Sequence, residues 1–371
     1  METRLDLPFF SKITSVSWLY PNSEDTCNDS DLYFIVGTSG QVKEVSLWSV
    51  KNPDFLSDES IANSYSFLKG ASFNPQNDVL CLEPNGKLGV FAGSSEGEIN
   101  FYQFTNSLND DQLVETSLEG CLLLENPILN DFSASSRKAS CTAISSQLNL
   151  NLGSSIVACD YAGFVSFIDG SEFVVLSSKD VDLMGLTDIQ WKTSHEFVVS
   201  SLSGFIRIMD TRSKNICVQT FQENDIEQYP VTAIDIHPSL KHLIASVTGD
   251  GKLFVYDARN NKRVSAPPRY ISNEYGENDI NDLKIPYWDV QFNKRSPDNI
   301  VVCSEDGILT NFEYKISFID GSEPIQYNSN STDFIKGAVS INSMDINNYI
   351  EKNIVLCGTD SNSILLRSLN A

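Results

Sequence analysis

The sequence has little of what catalysis and metal binding require. Only three of its 371 residues are histidine, namely His195, His237 and His242, and neither Cys-x-x-Cys, His-x-x-x-His nor EF-hand spacing occurs. No metal site is therefore expected. The commonest general base is scarce, and no Gly-x-Ser-x-Gly elbow, phosphate-binding loop or dinucleotide fingerprint occurs in a strand-to-helix context. We expect no catalytic residues, no cofactor and no enzyme.

Long apolar runs are also missing. No window approaches the roughly 18 apolar residues that a membrane-spanning helix needs, and residues 1–10 lack the order of regions found in a signal peptide. The eight cysteines are scattered singly, which does not predict a disulfide framework. These features predict a soluble, intracellular protein without membrane insertion.

Basic residues are few. The chain has 26 Lys and Arg against 49 Asp and Glu, which gives a formal net charge of −23. The short pairs Arg137-Lys138 and Lys262-Arg263 are too small to form a phosphate-binding stripe. Direct binding of nucleic acid is not expected.

What the sequence does contain is a repeated unit. Each copy is a short apolar strand, a turn of small and acidic residues ending near Gly, and a second alternating strand. The closing glycines Gly163, Gly204 and Gly251 lie 41 and 47 positions apart, which brackets the WD-type period of roughly 40 to 45 residues. The seven hairpins are 34–50, 89–104, 156–168, 197–210, 243–257, 300–312 and 354–367.

Further strands complete each four-stranded blade. A strand precedes most hairpins, and its copies resemble one another more closely than the turns do. These copies are 13–18, 141–145, 186–191, 231–238, 287–292 and 341–346, and 216–221 is an outer strand. The fold class is therefore all-β, a seven-bladed WD40-type β-propeller. The last hairpin lacks a fourth strand, so we expect residues 5–10 to close the propeller as an N-terminal strand.

The blades are predicted to form one domain over residues 1–371. Loop insertions rich in Asn, Ser, Asp and Pro lie near 51–69, 105–140, 265–286 and 313–339. Within the second of these, the apolar residues 121–124 are assigned to the outer strand of the second blade.

Two sets of repeated residues have a functional and a structural interpretation. Cys159, Cys303 and Cys357 occupy equivalent places in three strands, which favours core packing over a catalytic thiol. The turns 248–251, 304–307 and 358–360 contain Asp, which could indicate a binding site for a metal ion or a phosphate. Their composition is better suited to a tight hairpin in which Asp accepts hydrogen bonds from backbone N–H groups and Gly has a positive φ.

The candidate partner-binding residues are Arg212 and Arg259. They close the turns 209–212 and 256–259, which resemble the Trp-Asp-x-Arg motif with Trp replaced by Met209 and Tyr256. In WD propellers that act as substrate receptors of cullin-type ubiquitin ligases, this Arg contacts the adaptor. The alternative is that each Arg caps its strand and pairs with a neighbouring carboxylate.

Most of the chain resembles a known family. Residues 231–259, 287–292 with 303–307, and 356–360 are similar to the 43-kilodalton WD-repeat nucleoporins of the Y-shaped outer-ring complex, as are 45–50 and 140–144. The resemblance implies a non-enzymatic scaffold at the nuclear pore of the nuclear envelope, monomeric within a hetero-oligomeric complex and held by helical-solenoid nucleoporins. It also implies a contribution to nucleocytoplasmic transport and a place at kinetochores in dividing animal cells. The alternatives are a cullin-ligase substrate receptor and, third, a propeller hydrolase.

Overall fold

The computed structural model consists of β-strands joined by turns. It describes residues 2–7, 11–19, 31–51, 66–85, 89–106, 113–123, 139–149, 153–222, 229–259, 262–266, 284–315, 326–337, 339–347 and 354–369. In these ranges 28 strands form seven four-stranded sheets, and no helix long and apolar enough to cross a bilayer is found.

The seven sheets are the blades of a propeller, numbered here in chain order. Blades 1 to 3 are β2 to β5 (Ser11–Leu19, Asp31–Gly40, Val45–Lys51, Ser66–Phe73), β6 to β9 (Val79–Asn85, Gly89–Ser94, Glu98–Asn106, Leu113–Leu123) and β10 to β13 (Cys141–Asn149, Gly153–Asp160, Phe164–Asp169, Val174–Asp180). Blades 4 and 5 are β14 to β17 (Leu186–Trp191, Glu196–Ser201, Phe205–Asp210, Cys217–Gln222) and β18 to β21 (Val231–Ile236, Leu243–Thr248, Leu253–Asp257, Lys262–Ala266). Blades 6 and 7 are β22 to β25 (Tyr287–Phe292, Asn299–Ser304, Ile308–Lys315, Gln326–Lys336) and β26 to β28 (Ile341–Asn347, Ile354–Thr359, Ser363–Ser368) with β1 (Glu2–Asp6). The predicted seven-bladed β-propeller is confirmed.

The chain divides into two compact units. One comprises Met1–Ile189 with Ser343–Ala371, and the other comprises Gln190–Asn342. In the first, a core cluster around Trp18 and Phe34 includes Ile364 and Leu366 of the last strand. In the second, a cluster around Tyr287 and Phe312 joins the apolar faces of blades 5 and 6. Both cores form because the apolar alternate residues of neighbouring blades are buried against one another.

The propeller is closed by the N-terminal strand, as predicted, although the strand lies earlier than expected. β1 pairs antiparallel with β28, and Leu5 lies opposite Ile364. Leu5 and Leu7 pack on the Trp18 cluster, while Arg4 is exposed. Because β2 already begins at Ser11, the strand occupies Glu2–Asp6 rather than 5–10, and residues 8–10 lie outside the described part.

The hairpin turns have the predicted backbone, but the hydrogen bonds follow a different pattern. Gly251 and Gly307 both have a φ of 75°, and Asn362 replaces the glycine in blade 7 with a φ of 64°. Asn tolerates this left-handed conformation better than most residues. In blade 5 the Thr248 hydroxyl oxygen accepts from the Lys252 N–H and the hydroxyl donates to the Asp250 carboxylate at 2.6 Å.

The same arrangement recurs with Ser304, which accepts from Ile308 N–H and donates to Asp306 in blade 6. In blade 7 Thr359 likewise accepts from the Ser363 N–H. The expectation that the turn aspartates accept from the backbone was therefore wrong for Asp250 and Asp306. A hydroxyl one or two positions earlier accepts from the backbone N–H group in these turns.

The first strands of neighbouring blades are joined by carboxylates. Asp345 Oδ2 accepts from the Trp18 N–H and the Ser17 hydroxyl, both at 2.8 Å. Asp235 Oδ2 accepts from the Phe292 N–H at 2.6 Å. Glu83 Oε1 accepts from the Ser146 N–H at 2.7 Å. Each carboxylate is the fifth residue of its strand, so one position in the repeat links each of these blades to the next.

A threonine nearby makes a second link. The Thr14 hydroxyl donates to the Val79 carbonyl at 2.6 Å, and the Thr232 hydroxyl donates to the Tyr287 carbonyl at 2.7 Å. These bonds cross from the first strand of one blade to that of the next. They give a physical reason why the predicted copies of this strand resemble one another so closely.

Cysteine residues fill the core as predicted. Cys159, Cys303 and Cys357 have no exposed surface, and burial raises the pKa of the Cys159 thiol well above its usual range. A buried thiol with a raised pKa is a poor nucleophile.

Parts of the predicted insertions are outer strands. β5 begins at Ser66, and β9 and β25 occupy Leu113–Leu123 and Gln326–Lys336. β9 pairs with β8, so residues 121–123 belong to the outer strand of the second blade as predicted, while Leu124 lies outside the described residues.

Candidate functional site

The two predicted site arginines have the same geometry in consecutive blades. In blade 4 the Arg212 guanidinium donates through Nε and Nη2 to the two carboxylate oxygens of Asp210, at 3.0 and 2.9 Å. In blade 5 Arg259 does the same to Asp257, at 3.1 and 2.9 Å. The backbone N–H of each Arg also donates to its Asp at 2.9 Å. Each Asp therefore accepts hydrogen bonds both from the backbone of its turn and from the guanidinium of the Arg.

The carboxylates are stabilised in their ionised form. The side-chain hydrogen bond from Arg212, helped by its backbone N–H and its charge, lowers the pKa of Asp210 to about 2. Burial by itself would raise the pKa of Asp257, but the hydrogen bonds and charge of Arg259 outweigh it and lower that pKa below its usual value. Both pairs therefore remain ionised at neutral pH.

Both arginines thus pair with a neighbouring carboxylate, as the structural alternative expects. The Arg212 and Arg259 side chains are 62% and 57% exposed, so they can also reach a partner. Such a partner would have to share the guanidinium with Asp210 or Asp257. Partner binding by these arginines stays a prediction.

The histidines and turn carboxylates provide structural contacts. His237 is buried, its Nδ1 accepts from the Leu240 N–H at 2.8 Å, and burial lowers its pKa. Asp250 lies 3.1 Å from Lys252 Nζ and 3.5 Å from Lys284 Nζ. Within the described ranges, no group of three or more His, Cys, Asp or Glu residues is placed to hold a metal ion.

A different surface stands out by its apolar character. Of the eight large apolar side chains that are exposed among the described residues, five belong to blade 3 or the loop after it. They are Tyr161, Val174, Leu176, Leu183 and Met184. Tyr161 lies in the turn between β11 and β12, and Leu183 and Met184 lie in the loop after β13. These three residues are named here the blade 3 patch.

The sequence analysis did not single out the blade 3 patch. A signal was present, because the connection 181–185 reads Val-Asp-Leu-Met-Gly and places two large apolar residues in a short loop. Hydropathy does not distinguish such residues from core residues, since exposure depends on what the rest of the chain covers.

Four-stranded blades with repeated Asp-closed turns define the chain as a WD40-type β-propeller. No family model matches the sequence. The chain is 24% identical over 210 residues to the nuclear pore complex protein nup43 of Dictyostelium discoideum, which is 53% of this chain and 46% of that protein. It is 25% identical over 197 residues to the nuclear pore complex protein NUP43 of Arabidopsis thaliana, half of each chain.

Human nucleoporin Nup43 is 23% identical over 149 residues, which is 40% of this chain and 36% of that protein. The matched segments span about half the length of these relatives, or less. Among WD40-type propellers, the chain is therefore similar to the Nup43-type nucleoporins. The resemblance found in the sequence is confirmed by these matches.

Proposed function

We propose that the chain is a non-enzymatic structural subunit of the nuclear pore complex that binds other nucleoporins. The observation that supports this most strongly is its similarity to nuclear pore proteins of a slime mould, a plant and a mammal. The fold supports the proposal because a propeller offers rigid strands whose turns and loops are free to contact partners.

The finer assignment follows the family resemblance. The chain is proposed to act as a monomer within the Y-shaped outer-ring complex, bound to a helical-solenoid subunit and located at the nuclear envelope. Its contribution to nucleocytoplasmic transport would be indirect, through the architecture of the pore. A kinetochore role belongs to the same proposal.

A substrate receptor of a cullin-type ubiquitin ligase is the second candidate. It is favoured by one observation, the identical exposed Asp-x-Arg pairs of Arg212 and Arg259 in consecutive blades. The intramolecular pairing of both arginines with aspartate accounts for the same residues without a partner.

Affinity purification of the full-length chain from its own cells distinguishes the two candidates. We expect outer-ring nucleoporins in stoichiometric yield, and unchanged yield for the double variant Arg212→Ala/Arg259→Ala. A ligase adaptor recovered without nucleoporins, and lost in the double variant, would overturn the proposal in favour of the second candidate.

A further inference from the structure

The blade 3 patch is held together by backbone contacts. Both Val181 and Asp182 donate their N–H groups to the Gly163 carbonyl, at 3.0 and 3.2 Å. A methyl group added to Gly185 would lie 2.7 Å from the Tyr161 carbonyl oxygen. The turn that carries Tyr161 and the loop that carries Leu183 and Met184 therefore touch, and their exposed side chains belong to one surface.

Side-chain hydrogen bonds fix both segments. The Asp160 carboxylate accepts from the N–H groups of Ala162 and Phe164, at 2.9 and 3.0 Å. The Asp182 carboxylate accepts from the Met184 N–H at 3.1 Å. Leu183 is 96% exposed although its backbone is anchored on both sides. Because the backbone of this loop is already fixed, covering Leu183 with a partner requires little further ordering of the loop.

Tyr161 distinguishes this turn from its counterparts in other blades. In each turn we compare the residue that directly follows the second strand of the blade. It is Ser95 in blade 2, Leu202 in blade 4, Gly249 in blade 5, Glu305 in blade 6 and Asp360 in blade 7. Among these five blades and blade 3, only blade 3 has an aromatic residue at this position. The hairpin turn itself therefore does not require Tyr161, because its other copies form with a small, acidic or aliphatic residue.

The charge around the patch is acidic. Asp180 is exposed at this end of blade 3, whereas the carboxylates of Asp160 and Asp182 are buried and accept from the backbone of the turn and loop. Lys179 is the basic residue between 160 and 188. The Ser140 carbonyl accepts from the Tyr161 N–H, and the Ser140 hydroxyl donates to the Ser95 carbonyl. Ser95 is followed by the exposed Glu96. The exposed carboxylates of Asp180 and Glu96, together with the net charge of −23, attract a partner that carries basic residues and repel a second copy of this acidic chain.

We propose that the blade 3 patch is a docking surface for a partner segment with a bulky apolar residue flanked by Lys or Arg. The apolar residue covers Leu183, Met184 and Tyr161, and the basic residues pair with exposed carboxylates at the edge of the patch, Asp180 and Glu96. This inference rests on the proposed function as a protein-binding scaffold, and it specifies the chemistry of one partner.

The first test compares two variants of the full-length chain. Leu183→Ser/Met184→Ser removes the apolar surface, and Leu176→Ser removes a side chain of the same blade that is 66% exposed but lies outside the patch. We expect the double variant to reduce recovery of at least one identified nucleoporin by about tenfold or more, with Leu176→Ser unchanged. Thermal melting should show both variants folded, because Leu183 and Leu176 make little contact with the core. Equal recovery with all three proteins would overturn the inference.

The second test identifies the occupant. A benzophenone-bearing phenylalanine analogue in place of Leu183 is crosslinked in the extract, and the attached peptide is sequenced by mass spectrometry. A peptide with an apolar residue and neighbouring Lys or Arg, whose binding weakens as salt is raised, supports the inference. An acidic peptide, a purely polar one or a second copy of this chain would overturn it. If the wild type recovers no nucleoporin, the proposed function fails, and the crosslinked peptide still decides the inference.

Discussion

Single residues set the shape of each turn, and Gly163 is the most constrained of them. Its φ is 95°, and an added Cβ would lie 1.9 Å from the Asp182 carbonyl oxygen. The close approach is what lets the Gly163 carbonyl accept from both Val181 and Asp182. The sequence predicted a positive φ at such glycines. It could not predict that the Gly163 backbone also fixes the loop that carries Leu183.

Substituting Gly163 should therefore be costly. We expect Gly163→Ala to lower the free energy of unfolding by at least about 2 kcal/mol, through backbone strain and the clash with Asp182. Chemical denaturation measures the change. Gly249→Ala is the matched control, because its Cβ would meet nothing closer than 3.8 Å. Equal stability of the two variants would contradict this account of the turn.

At the scale of the strand, the first strand of a blade contributes both to the core and to the contact with the next blade. Its apolar residues face the core. In blades 2, 5 and 7 its fifth residue is Glu83, Asp235 or Asp345, and this carboxylate links the strand to the next blade. Alternation in the sequence identified the strands themselves. The backbone N–H partners of these carboxylates lie 57 to 327 positions away in the chain, so no local pattern could identify them.

The link made by Asp345 can be tested by removing its carboxylate. Asp345→Ala leaves the backbone N–H of the fully buried Trp18 without that acceptor, and we expect a loss of about 1 to 3 kcal/mol in unfolding free energy. Asp345→Asn retains an acceptor oxygen and should lose less. Lys12→Ala, which removes an exposed ion pair with Asp360, should cost under about 1 kcal/mol. A loss for Asp345→Ala no larger than for Lys12→Ala would refute the proposed role of the link.

At the scale of the whole molecule, closure depends on one short strand. β1 covers the edge of β28, and its Leu5 packs on the cluster that contains Ile364 and Leu366. We propose that the chain folds as a single domain, because the seven blades share one repeated architecture and the first and last strands share a sheet.

Deleting residues 1–7 should therefore destabilise the protein. The edge of β28 would be unpaired and its apolar residues uncovered, so we expect the melting temperature to fall by more than about 5 °C, with a tendency to aggregate. Arg4→Ala, which removes only an exposed pair with Asp6, is the control. Calorimetry of the wild type should show one transition. An unchanged melting temperature after the deletion would contradict the role of β1, and two transitions would contradict the single domain.

The sequence by itself determined the strands, the turns and the number of blades. Alternating polarity and turn chemistry act over a few residues, so each copy of the repeat can be read locally. The sequence also predicted that Arg212 and Arg259 can pair with a carboxylate, since an Asp two positions earlier is close in any such turn. Only the tertiary structure decided where the closing strand begins, which carboxylate joins which blade, and that Leu183 and Met184 stay exposed. Those outcomes depend on which distant residues cover a side chain or accept its hydrogen bond, and a local pattern does not contain that information.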